Sequence, residues 1–167
     1  MTPTRYRDEV AMVAKIDEAK AASIATKITD PWFQAQAWSH VARYATKPIP
    51  YARKAARSAG HGKDDYQRSA VRAWEIVALA ERDLRLQARA SLTDAVNVAS
   101  TVVQDSSRAE SLFLLFQAAF KISTNDAENV AEVLQTTCSS GHWRAVRARK
   151  NAEEMLRGDI LPREFFW

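Results

Sequence analysis

The side chains best equipped for chemistry in this 167-residue chain are one cysteine and three histidines. Cys138 and His142 lie four apart, a spacing that suits a thiol–imidazole pair or two ligands of a metal. The intervening Ser139-Ser140-Gly141 reads as a turn, however, so a shared helical face is not what the spacing predicts. A zinc site takes three or four protein ligands, and the chain has no second cysteine. His40 and His61 are distant and unpaired. Cys138 is therefore expected to be a small buried thiol, with no metal and no cofactor. The carboxylate pairs Asp64/Asp65 and Glu153/Glu154 are sequence neighbours, which point to different faces of a helix, and read as caps or solvated groups. Glu75, three after Arg72, reads as half of a surface ion pair. Gly60-His61-Gly62-Lys63 lacks both the spacing and the preceding strand of a phosphate loop. No catalytic residue is expected. A small enzyme with an unrecognised site would require Cys138, His142 and a carboxylate to converge in one pocket.

Binding chemistry is better represented. Between Pro31 and Lys63 there is no Asp or Glu, while Arg43, Lys47, Arg53, Lys54, Arg57 and Lys63 all fall at or within these limits. Arg53, Lys54 and Arg57 span an arc of about 100° on a helix, and Trp32, Tyr44 and Tyr51 are near in sequence. Cations beside aromatics suit RNA or single-stranded DNA, whose phosphates are neutralised and bases stacked. The simpler reading is a solvated face opposite Ala52, Ala55, Ala56 and Ala59. A denser cluster is His142, Trp143, Arg144 and Arg147, where the two arginines share a face and can fork onto a carboxylate or phosphate. Packing of Trp143 on the preceding repeat, with the arginines paired to Glu153, Glu154 or solvent, is the competing expectation. Phe165, Phe166 and Trp167 are costly to leave in water. They are expected to fold back as a cap on the last helix pair, the alternatives being a partner or self-association with a second copy.

The elements that must position these residues follow from self-similarity. Gln34–Trp38, Ala70–Trp74, Arg108–Leu112 and Ala145–Arg149 align, with their small residues at 37, 73, 111 and 148, at spacings of 36, 38 and 37. The second and fourth share Ala-Val-Arg-Ala. Trp38/Val41, Trp74/Val77 and Leu112/Leu115 continue the stripe of a helix with one buried face; Arg149 and Ala152 depart from it, as a terminal repeat should. Second helices are predicted over Tyr51–Ala59, Leu92–Val103 and Ala127–Cys138, and a long leading helix over Val10–Ile28. Asp30-Pro31 is a helix start. Asp64 or Asp65 is a candidate cap for the next helix, and Ser107-x-x-Glu110 and Asn125-x-x-Glu128 read as capping boxes. Pro48 and Pro50 close off the helix before them. Glu81 to Ser91 has no breaker.

The expected fold is all-α, a right-handed α/α superhelix of stacked antiparallel helix pairs repeating about every 37 residues. Residues 1–157 form one helical-repeat domain: 1–29 a leading, capping helix and 30–157 about three and a half helix pairs, with 158–167 an aromatic tail. Such pairs bury their apolar faces only by stacking. Over Thr29 to Leu156 the chain resembles the tetratricopeptide/HEAT-like α/α superhelix class in architecture. It departs from the tetratricopeptide pattern in having no Leu-Gly pair after Trp38 or Trp74 and a repeat longer than roughly 34 residues. The resemblance implies a scaffold. No stretch reaches the roughly 18 apolar residues of a membrane span, and the N-terminus lacks a secretory apolar core. With a single cysteine, these features predict a cytoplasmic protein. The function expected is a non-enzymatic scaffold binding a protein or peptide through the concave face or the tail, with His142, Trp143, Arg144, Arg147, Phe165, Phe166 and Trp167 as the candidate partner-binding residues. RNA or single-stranded DNA binding by the basic face is the alternative.

Overall fold

A computed structural model describes residues 1–167 and contains helices but no strand. The helices are α1 (Pro3–Val13), α2 (Glu18–Thr26), α3 (Pro31–Tyr44), α4 (Pro48–Gly60), α5 (Asp65–Ala70), α6 (Arg72–Glu81), α7 (Arg85–Ala99), α8 (Asp105–Ala119), α9 (Thr124–Thr137) and α10 (Trp143–Leu156). α5 and α6 meet at Val71, which ends one and begins the other.

Local chemistry explains the boundaries. The Asp30 carboxylate accepts the Phe33 N–H, and Pro31 opens α3 with a nitrogen that has no hydrogen to orphan. Asp64, not Asp65, caps α5 by accepting the Gln67 N–H. The leading segment is two helices instead of one: Asp17 caps α2 by accepting the Lys20 N–H. Pro48 starts α4 rather than merely closing α3, because a first-turn proline loses no helical hydrogen bond. Neither predicted capping box is used. α8 begins at Asp105, which places Ser107 inside the first turn. α9 is capped by Ser123, whose hydroxyl accepts the Asp126 N–H and donates to the Asp126 carboxylate. α7 starts at Arg85, seven residues before the predicted Leu92, and the α6–α7 turn places Asp83 at a φ of 59°.

Successive helices pack as pairs, α3 on α4, α6 on α7, α8 on α9, while α3, α6, α8 and α10 also pack in series. The small residues Ala37, Ala73, Ser111 and Ala148 are all buried, and with no bulky side chain they permit close helix approach. The Ser69 and Ser111 hydroxyls bond to each other at 2.6 Å where α5 meets α8. Trp38 and Trp74 are buried. The main core runs from α3 to the tail, and a smaller one joins α1 and α2 to α3 and α4.

One expectation is corrected inside this stack. Arg72 and Glu75 are an ion pair, but not a surface one. Glu75 is 3% exposed, bonded to Arg72 at 2.8 and 3.1 Å and to the Ser91 hydroxyl of α7 at 2.6 Å.

Candidate functional site

The N-terminal portions of α5, α8 and α10 border a cleft of about 380 Å³ lined by Tyr66, Ser107, Glu110, Trp143, Arg144 and Arg147. His142 is the cap of α10, its Nδ1 accepting the Arg144 N–H, and its ring stacks on Trp143 with centroids 6.0 Å apart. Arg144 and Arg147 hold their guanidinium carbons 5.3 and 4.9 Å from the Trp143 ring. Arg147 donates to Glu110 at 3.0 Å; it does not pair with Glu153 or Glu154. Glu110 is available for this because it is not engaged in a capping box. Burial, reinforced by the Glu110 charge, raises the Tyr66 phenol above its ordinary pKa, so at neutral pH it is uncharged.

Trp143 itself is 59% exposed and is not packed away on the preceding helix pair. The four residues His142, Trp143, Arg144 and Arg147 are thus together. Tyr66, Ser107 and Glu110 complete the cleft, and the sequence reading did not associate them with it. Chemically the cleft offers an aromatic platform, two cations and hydroxyl groups, an arrangement for holding a partner group.

Phe165, Phe166 and Trp167 are elsewhere. The tail turns back, but not over the last helix pair: it crosses α8, α6 and α3 towards α1. The Arg163 N–H donates to Gln117 of α8, and the Trp74 indole of α6 donates to the Phe165 carbonyl, both at 3.0 Å. Phe166 meets the His40 ring and the Arg43 guanidinium on α3, and Trp167 meets the Arg7 guanidinium on α1. Phe165 and Phe166 are buried, while Trp167 is 63% exposed.

The basic set divides between two places. Arg43 is bonded to Glu81 and covered by Phe166, whereas Lys47, Arg53, Lys54, Arg57 and Lys63 are exposed on or beside α4. Of the nearby aromatics, Trp32 is engaged with Tyr66 and Trp74 and Tyr51 with Trp38, while Tyr44 is 39% exposed with Arg43 over its ring. Lys54 lies 4.5 Å over the Trp38 ring. Cys138 is fully buried at the end of α9, while His142 is exposed and turned to Trp143. No three His, Cys, Asp or Glu side chains are grouped as metal ligands. No protein-family model, characterised protein or solved structure matches the chain.

Proposed function

We propose that this protein is a non-enzymatic helical-repeat scaffold that binds a protein or peptide partner through the Trp143 cleft. In this reading the helix pairs form a right-handed superhelix with a period near 37 residues, akin in architecture to tetratricopeptide and HEAT arrays. Support for the repeat comes from the serial packing of α3, α6, α8 and α10 and from the buried small residues that recur in them.

The observation that carries the binding proposal is Trp143. It stands five residues before Ala148, as Trp32 stands five before Ala37. Trp32 is covered by Tyr66 and Trp74, which belong to the following repeat. At Trp143 no such rings cover the equivalent position, and the indole stands open beside Arg144 and Arg147. Trp and Arg are the side chains that most often anchor protein interfaces.

The test is affinity capture from lysate, nuclease-treated in one arm and untreated in the other, with the unaltered chain and with Trp143→Ala, followed by titration of any partner recovered. Affinity is expected to fall by about 30-fold, the loss of one interfacial hot spot. A partner bound equally well by both proteins refutes this assignment of the cleft. Capture of nucleic acid with a steep salt dependence, lost in Arg53→Glu/Lys54→Glu, would replace it with the α4 face.

A further inference from the structure

Residues 163–167 lie on the protein as a bound peptide does. The segment has no regular secondary structure, and two of its backbone groups are bonded to groove side chains, the Arg163 N–H to Gln117 and the Phe165 carbonyl to Trp74. Its side chains fill successive positions. Phe165 sits edge-on against Trp74 at 5.4 Å, and the Arg163 guanidinium lies over both rings. Phe166 meets His40 at 4.9 Å and Arg43 at 4.7 Å, and Trp167 meets Arg7 at 5.2 Å. Backbone bonds supply affinity and side-chain positions supply specificity in this mode of recognition.

The connection behind the segment is slight. α10 ends at Leu156, Gly158 takes a φ of +80°, and residues 157–161 are exposed. Leu161 is 86% exposed, so the strap leading into the groove is not fixed by burial. The groove also holds a polar group that this segment leaves unsatisfied. His40 is 1% exposed, and its Nε2 has no hydrogen-bond partner. Buried polar groups are nearly always paired, so an occupant able to reach this nitrogen fits the groove more completely than residues 163–167 do.

We propose that the face built by α1, α3, α6 and α8 is a docking groove for an extended peptide in which a basic residue is followed by consecutive aromatics. Residues 163–167 are its resident, displaceable occupant. The partner is a protein carrying such a segment, and it competes with the tail for Trp74, Gln117, His40 and Arg43. This surface is separate from the Trp143 cleft and does not depend on that assignment.

The test uses a fluorescein-labelled, amidated peptide of residues 159–167 and two full-length chains. In the first, Phe165→Ala/Phe166→Ala weakens the resident segment; circular dichroism reports whether it folds. The peptide is expected to bind this chain at least about tenfold more tightly than it binds the unaltered one, where a tethered competitor acts at roughly millimolar effective concentration. A folded variant that takes up no peptide overturns the proposal. The second chain retains both phenylalanines and carries a dye on Leu161→Cys, which is exposed where Cys138 is buried. Unlabelled peptide is expected to shift its fluorescence saturably as the strap is released, and the same peptide with both phenylalanines changed to alanine should not. No shift up to millimolar peptide overturns the proposal even if the first variant fails to fold. A chain that instead forms dimers while ignoring free peptide refutes the partner assignment and identifies the occupant as a second copy.

Discussion

At the scale of single residues, environment separates side chains that the sequence treats alike. Trp32 and Trp143 occupy the same offset from a buried alanine, yet one is enclosed by the Tyr66 and Trp74 rings of α5 and α6 and the other stands 59% exposed. Trp143→Ala is accordingly expected to change stability by no more than about 0.5 kcal/mol, the range of surface substitutions. Trp32→Ala should cost about 3 kcal/mol, at the low end for a buried aromatic, because Trp32 is only partly buried. Urea denaturation of the two variants reads the contrast directly. Glu75 makes a second case. Its spacing from Arg72 was legible as an ion pair, but its burial depends on Ser91 arriving from α7, which no local pattern announces. Glu75→Ala strands the Arg72 guanidinium and is expected to cost about 3–5 kcal/mol. The double change Arg72→Met/Glu75→Leu should be nearly neutral, since apolar replacement removes both desolvation penalties together. A double change as damaging as the single one would contradict that account.

At the scale of the helix, the sequence was most readable where one residue type has one use. Asp30-Pro31 located α3 because a carboxylate cap followed by proline suits little else. Ser, Asn and Asp clusters were ambiguous. Ser123, Asn125 and Asp126 offer competing caps for α9, and Ser123 takes the role because Asp126 then accepts from its hydroxyl while facing Arg89. The bonds from Arg89, aided by Ser123, hold the Asp126 carboxyl below its ordinary pKa. That interhelical pull from α7 is absent from the local sequence. The break between α1 and α2 was missed for a related reason: apolar residues continue in helical phase through Ala14 to Ala21, and only the Asp17 cap interrupts them. Ser123→Ala is expected to destabilise the fold by about 1–2 kcal/mol, the upper part of the range for a lost cap. Asn125→Ala, at the position of the unused box, should be within about 0.5 kcal/mol of unaltered protein. Thermal unfolding of the pair decides which residue caps the helix.

At the scale of the molecule, an all-α chain of packed helix pairs was legible, but the segments brought together across those pairs were not. Tyr66, Glu110 and Trp143 meet from three helices, and the tail bypasses the last pair to reach α6 and α3. Sequence offers no register for such a crossing, since aromatics are satisfied by any apolar surface they reach. His40 reports this arrangement thermodynamically. Enclosed under Phe166 and Trp167, with Arg7 and Arg43 close by, Asp8 opposing them, Lys15 beyond and Glu81 held on Arg43, its imidazole is pushed down to about 3, chiefly by burial. A histidine with a depressed folded pKa contributes stability above its ordinary pKa of 6.5. That contribution is lost as pH falls from 6.5 towards 3. The closed, tail-covered form should therefore weaken by about 2 kcal/mol between pH 7.5 and pH 5, before most carboxylates begin to titrate. His40→Leu keeps a ring-sized apolar group, removes an unsatisfied nitrogen, and should leave stability at pH 7.5 little changed while flattening the acid limb. Urea midpoints taken across this range for both proteins test the linkage. Parallel curves would mean that His40 does not govern the acid sensitivity of the closed form.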